Sequence, residues 1–326
     1  MLVFVVIGVA FITFAISMLI PGDPARLIAG PKATTEQVEA VREELGLNQS
    51  FQVQFGRYVK KLATGDFGRS IRTNRPVSVD LFTRFPATIE LMLSALLLSL
   101  LIGIPLGVIA ATHRDGWLDH SIRAIAVLGI SVPSFWLALT LLIVFYGQLD
   151  LVPGSGRLSL DLAPPTNITG LYVIDSLLTG NWKTLVNSLQ HLALPAITIA
   201  LLSIGSYVRL VRASMLEVLS ADYIKVARAC GLPRRTVIYN LALRNSLIPV
   251  ITFVGLSLAN VLAGAVITET VFGWPGAGAY VVSAIFALDF PVIMAFAIVV
   301  SVAYVLANLF VDVCYMIVDP QIREAQ

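Results

Sequence analysis

Charged residues are bunched along this chain so that six long, almost purely apolar runs lie between them, and that spacing constrains its fold more than any other feature. About 30 Å of hydrocarbon is crossed by roughly 20 helical residues at 1.5 Å each. The runs predict membrane helices at about 1–22, 87–112, 122–149, 186–210, 245–268 and 288–314. Only 13% of residues are charged and 57% are hydrophobic, whereas a soluble domain averages roughly 25% charged. Backbone groups in hydrocarbon must pair within their own segment, so the runs read as helices; barrel strands would be shorter and would alternate. The expected fold is therefore an all-α membrane protein with six spans. The fourth run is the least apolar, because His191 and Pro195 fall within it.

Lysine and arginine in short loops set the expected orientation. Arg114, Arg123, Arg209, Arg212, Lys225, Arg228, Arg234, Arg235, Arg244 and Arg323 fall on one side, against only Arg157 and Lys183 in the alternating loops. This predicts both termini, and the 213–245 loop, in the cytoplasm. The 23–86 connection carries ten more basic residues, but segments that long cross regardless of charge and it is expected outside. The first run lacks a basic leader and a small-x-small cleavage site, which predicts a retained span. Within 23–86, Thr34 or Thr35 followed by Glu36 and Gln37 resembles a capping box, with Gly46 as the stop. A second amphipathic stretch, with Phe51, Phe55, Tyr58, Val59 and Leu62, ends before Gly65. Two short helices on the outer face are expected, either touching a soluble partner or only packing on the bundle. Cys230 and Cys314 both fall on or near the reducing side, which suggests no disulfide.

The loop between the fourth and fifth runs is the polar exception in this chain. Ser220 or Asp222 is placed to cap a helix through Cys230, and Gly231 suits a left-handed stop over which Leu232 folds back. Pro233 then starts another helix, where its missing N–H costs nothing. Val237, Ile238, Leu241 and Ala242 form an apolar face, opposite Arg234, Arg235 and Arg244. The expected unit is helix, glycine turn, helix, with small exposed side chains at Ala221, Ala227, Ala229 and Cys230 that let another protein approach.

At these residues the sequence resembles the permease subunits of ABC importers, specifically the dipeptide and oligopeptide (peptide/nickel) branch. Lys225, Val226 and Ala227 occupy the positions of the family's EAA loop, Gly231 its glycine and Pro249 its later proline. The first two depart from the acidic-alanine pattern, and Lys225 reads as a conservative variant of the R-T-A form. Further matches run along the chain: IPGDPA at 20–25, ELGL at 44–47, GDFGRS at 65–70, FPAT at 85–88, SVPSFW at 131–136, DYIKVARACGL, LRNSLIPV, ETVFGWPGAG at 269–278 and VDVCYMIVDPQIR. The resemblance implies a type I importer permease in the bacterial inner membrane, forming half of a peptide path. It implies a second related permease, two ATP-binding subunits that hold ATP and Mg, an external solute-binding protein and surrounding lipid, with no cofactor of its own. Ala221, Asp222, Tyr223, Ile224, Lys225, Val226, Ala227, Arg228, Ala229 and Gly231 would form the ATPase-coupling helix. Leu232, Pro233, Arg244, Asn245 and Pro249 would support it.

Other residues mark what the chain is not expected to do. No Gly-Lys pair occurs, so a Walker A loop is excluded and this subunit should not hydrolyse ATP. Gly154-x-Gly156 and Gly276-x-Gly278 lack the strand-to-helix context of a nucleotide fingerprint and read as turns. His113, His120 and His191 have no ligand spacing, so neither metal nor catalytic triad is expected. Glu90, Glu269, Asp289 and Asp312 lie at expected helix ends, where snorkelling or capping is favoured over substrate contact. Glu269, Trp274 and Pro275 are candidates for an outer vestibule, with an interfacial anchor as the alternative for Trp274. Gly103-x-x-x-Gly107 and the stripe of Gly255, Ala259 and Ala263 suit close helix packing. A secondary transporter would show mid-helix ionisable groups or paired broken helices, and neither is visible. A nucleic-acid binder would keep its helical elbow free of the bilayer, so no nucleic acid is expected. Another cargo of the same family, such as a nickel complex, glutathione or an oligosaccharide, is not separated by these residues.

Overall fold

The computed structural model describes residues 2–19, 24–29 and 33–318, with side chains at 2, 24, 27, 28, 44, 45, 258–263 and 310–318 outside the description. Ile20 to Asp23 of the IPGDPA stretch, Ala259, Ala263, Asp312, Cys314 and Arg323 therefore lie outside the described residues or side chains. In chain order the helices are α1 (Leu2–Leu19), α2 (Pro24–Ala29), α3 (Thr35–Leu45), α4 (Phe51–Ala63), α5 (Val77–Thr112), α6 (Trp117–Ser131), α7 (Ser134–Leu141), α8 (Tyr172–Leu178), α9 (Trp182–Ser220), α10 (Asp222–Ala229), α11 (Arg244–Ser246), α12 (Ile248–Val271), α13 (Ala277–Phe286) and α14 (Phe290–Val318). Two π-helical stretches, Leu142–Gln148 and Thr236–Leu243, continue α7 and lead into α11. Among the described residues there is no strand, only an isolated bridge between Arg69 and Pro76.

Three helices are long and apolar enough to cross a membrane by themselves: α5, α9 and α14. Two bent pairs raise the number to five, and α1 is a shorter apolar helix. The expected third span is one of those pairs: its arms, 117–131 and 134–148, meet at 101°. Pro133 forces Val132 into an extended conformation (φ −84°, ψ 130°), which ends α6. The α5 and α9 helices also run further than hydropathy alone predicts. Charged residues stop an apolar run without stopping a helix, so α5 begins at Val77 instead of 87 and α9 continues to Ser220 instead of 210.

The chain divides into two compact units. In the unit formed by residues 1–85 and 280–305, the Thr34 side chain and Gln37 make the anticipated capping box and Gly46 adopts the left-handed stop. The amphipathic α4 lays Phe51, Phe55 and Tyr58 against Phe11 and Phe14 of α1, with ring centroids 5.3–5.8 Å apart. Asp289, just ahead of α14, accepts hydrogen bonds from the Ser70 hydroxyl and from the N–H groups of Ile71 and Arg72. It is buried, so the carboxylate pins the 70–72 turn and does not reach for solvent.

In the unit formed by residues 86–279 and 306–326, α9 is the central rod, touching α6, α7, α8, α10 and α12. At 39 residues it is about 58 Å long. Gly103 and Gly107 let α5 approach it: a Cβ at Gly107 would sit 2.6 Å from Cβ of Val211. The Tyr207 hydroxyl and Ser257 Oγ, 2.8 Å apart, tie α9 to α12 within the core.

Candidate functional site

The elbow between α9 and α12 begins with a sharp redirection. Ala221 is extended (φ −65°, ψ 150°) and both closes α9 and precedes α10. Neither expected side-chain cap forms. Ser220 Oγ donates to the Glu217 carbonyl, and Asp222 instead faces Lys225 across 2.8 Å on the surface. The stop is as anticipated: Gly231 has φ +79°, its N–H donates to the Arg228 carbonyl, and the Leu232 N–H reaches back to the Ala227 carbonyl at 3.2 Å. Helical structure resumes at Arg234, and the Val237 N–H donates to the Pro233 carbonyl.

The α10 faces differ from the small-residue reading. Ala227 points inward, and Ile224 beside it is fully buried. Outward stand Tyr223, Lys225, Val226, Arg228, Ala229 and Cys230, with Val226 at 61% exposure. Leu232 adds a second exposed apolar side chain at the turn. The inner side chains Ile224, Ala227, Val237 and Ala242 belong to one core cluster with Val108 of α5, Val211 and Met215 of α9 and Val250 of α12. Of the supporting residues, Asn245 donates to the Tyr223 hydroxyl at 2.8 Å, joining the return arm to α10. Pro249 sits in the first turn of α12, after a 43° bend from the π-helical arm. Arg244, Leu232 and Pro233 are exposed. The π-helical form of Thr236–Leu243 has no signal in the sequence that we recognise.

A buried ion pair braces the rod just above the elbow. Asp119 of α6 is fully buried and accepts two hydrogen bonds at 2.6 Å from Arg212, one from Nε and one from the terminal nitrogen. The Asp115 N–H adds a third at 3.0 Å, and Arg123 Nε lies 3.5 Å away. The fork geometry holds α9 against the α5–α6 turn. Sequence reasoning passed over it, since the only signal was one carboxylate at the start of an apolar run opposite an arginine within another.

The three vestibule candidates separate. Glu269 and Trp274 are sealed in the interior, and only Pro275 reaches the surface. Glu269 accepts from the Thr88 hydroxyl at 2.6 Å and from the Ala279 N–H at 2.9 Å, while the Ala277 N–H donates to Thr88 Oγ1 at 2.9 Å. Trp274 donates its indole N–H to the Ala87 carbonyl at 2.9 Å. These contacts bind the GWPGAG turn to the FPAT segment of α5. Glu90 likewise lies inside α5, buried against Arg157, and accepts from the Val173 N–H at 2.8 Å. Arg157 also donates to the Gly170 carbonyl and stacks 3.7 Å over the Tyr172 ring. Snorkelling thus describes neither glutamate: Glu90 lies inside α5, which begins ten residues before the apolar run, whereas Glu269 does lie in the last turn of α12 and caps the first turn of α13 through the Ala279 N–H. His191 faces the Gly156 carbonyl and Ser159 Oγ at 3.2 and 3.3 Å, a structural arrangement. Among the described residues no three His, Cys, Asp or Glu side chains gather as metal ligands.

Residues 103–324 match the family described as binding-protein-dependent transport system inner membrane component, and residues 1–92 match the N-terminal component of such systems. The chain belongs to this family of transport permeases. The permease is 56% identical, over 98% of its length and 94% of the relative's, to the "Probable D,D-dipeptide transport system permease protein DdpB" of Escherichia coli K12. It is 42% identical to the dipeptide transport system permease protein DppB of Alkalihalophilus pseudofirmus, over 99% and 97% of the two chains. With the di/tripeptide transport system permease protein DppB of Pseudomonas aeruginosa it shares 40%, over 97% and 94%. A chain of the inward-facing MetNI methionine ABC transporter superposes with a TM-score of 0.55 at 14% identity, covering 72% of the permease and 93% of that chain. That likeness concerns the fold. The permease is thus helical, inner-membrane and of the ABC importer type.

Proposed function

We propose that this permease forms half of a membrane path for dipeptides and couples it, through the 221–231 elbow, to separate ATP-hydrolysing subunits. The observation that carries the proposal is the continuous core beneath α10: its inner residues pack on the same cluster as α5, α9 and α12. A push on the exposed Tyr223–Val226–Leu232 side therefore moves the long helices with the elbow instead of bending a loop. Identity of 38–56% to permeases named for dipeptide transport supports the cargo class. A second, related permease completes the path, because five or six spans enclose little space by themselves. An external binding protein delivers the peptide. Both termini and the elbow lie in the cytoplasm in this reading, following the arginine-rich side of the chain.

The test is a cysteine at position 226, with Cys230 replaced by serine, in the assembled transporter. Short bismaleimide linkers should join the permease to an ATPase subunit, and the yield should change between nucleotide-free and ATP-trapped complex. Failure to cross-link in either state would remove the elbow from the coupling interface.

A further inference from the structure

Beside the elbow lies a cavity of about 570 Å³ that shares Arg228 and Leu232 with the coupling surface and whose other residues the coupling role leaves without a purpose. Its lining includes three arginines from three separate segments: Arg114 from the α5–α6 turn, Arg228 from α10 and Arg234 at the start of the return arm. Among the described residues Arg228 and Arg234 have no ion pair or hydrogen bond to their side chains, and no carboxylate lines the cavity. Arg114 faces Asp115 at 3.2 Å, but both side chains are about two-thirds exposed, so that pair is worth little and yields readily. Leu216, Leu219 and Ile238 give the lining an apolar part, while the Thr112 and Ser220 hydroxyls, also in the lining, already donate to backbone carbonyls.

Three arginines lining one cavity call for an acceptor with several oxygens and more than one negative charge. A phosphate meets that description better than a carboxylate, since it can accept from all three arginines at once. The cavity is also much larger than one phosphate ion, and the apolar part of its lining suits the carbon portion of a phosphate ester. We propose that this cavity is a binding site for a phosphate group, borne by a membrane phospholipid or free in solution. Occupancy would link three segments that otherwise repel one another: the α5–α6 turn, α10 and the return arm.

The experiment uses the whole transporter purified in dodecyl maltoside, which has no phosphate. Native mass spectrometry reads the phospholipid retained on the wild type and on an Arg114→Gln/Arg234→Gln double variant. In a parallel arm, delipidated complex is titrated with inorganic phosphate against chloride at equal ionic strength while its melting temperature is followed. Retained lipid that is lost in the double variant identifies the lipid source; a phosphate-dependent rise in melting temperature that is lost identifies the soluble one. Binding in either arm should weaken about tenfold or more for each guanidinium removed. Arg235→Gln, which lines a different surface with Tyr239, should leave it unchanged. Equal behaviour of wild type and double variant in both arms overturns the proposal. So does an equal loss in Arg235→Gln, which would reduce the effect to general charge. Both variants alter exposed side chains and should leave assembly, checked by size-exclusion chromatography, intact.

Discussion

Gly231→Val isolates the geometry of the elbow from its surface chemistry. Gly231 has φ +79° and is exposed, and a Cβ built there meets nothing within 4 Å. The substitution therefore adds no clash with a neighbour; its effect comes from the backbone. A left-handed L-residue costs roughly 1–2 kcal/mol, and a β-branched one sits at the upper end. The strain is relieved by opening the turn that the Gly231 and Leu232 N–H bonds close at 3.0 and 3.2 Å. Because Ile224 and Ala227 are anchored in the core, the part that swings is Leu232 and the return arm. If only the closed geometry transmits force, a 1–2 kcal/mol shift lowers its population by about 5- to 30-fold. ATPase activity stimulated by loaded binding protein in the reconstituted transporter should fall by that factor, while subunit assembly persists. Gly231→Asn, which tolerates the left-handed region, should lose only a few-fold. Full stimulation of the valine variant, or equal loss in valine and asparagine variants, would refute the reasoning.

Other sites give independent checks. Glu269→Ala leaves the Thr88 hydroxyl and the Ala279 N–H without their buried acceptor, and unpaired groups cost about 1–3 kcal/mol each; the detergent-solubilised protein should melt several degrees lower, more than for Glu269→Gln. Gly107→Leu drives a side chain into Val211, so folded protein should be scarce by fluorescence-detection chromatography, whereas Gly56→Ala, with open space around it, should behave as wild type. Asp175 lies outside the spans: burial alone would raise its pKa, but hydrogen bonds from the Thr169 hydroxyl and the N–H groups of Ile168, Thr169 and Gly170 outweigh that and hold it below the usual carboxylate range. A depressed folded pKa means the stabilisation is full above the unfolded value of about 3.9 and is lost as pH falls below it. Hydrogen exchange at 168–175 should therefore accelerate relative to intrinsic rates only below about pH 4, and Asp175→Asn should remove that dependence.

The sequence carried the helical architecture because bilayer physics writes it in long runs of side chains, and the elbow because its punctuation is local. Gly46, Gly231 and Thr34 each act within five residues, so their roles were legible. What escaped were features that depend on residues far apart in the chain. Asp119 and Arg212 are 93 positions apart, and Thr88 and Glu269 are 181 apart; no local pattern announces either pairing. The small-residue face of α10 holds at Ala229 and Cys230 and fails at Ala227 for a related reason. Side-chain size does not say which way a helix turns, and the buried partner of Ala227 is Ile224 one turn earlier, on the inner face. Likewise the third span looked continuous because Pro133 is embedded in apolar residues, though the proline fixes a 101° break.

The long α9 decides how movement at the elbow is felt elsewhere. A rod about 58 Å long amplifies small rotations if it has a fixed point, and Asp119–Arg212 supplies one roughly two turns from its elbow end. Below that point the helix leads into α10; above it, Tyr207 is hydrogen-bonded to Ser257 of α12, so in the proposed coupling α12 would follow α9. Removing one partner of such a buried pair leaves a bare charge and costs about 3–5 kcal/mol. Replacing both with shape-matched neutral residues costs much less. Asp119→Asn with Arg212→Met should therefore restore the melting temperature lost in either single variant but not the coupling of ATP hydrolysis to transport, since the packing returns without the directional hold. Recovery of coupling along with stability would mean that α9 needs only a filled contact there, and that the ion pair is not a pivot.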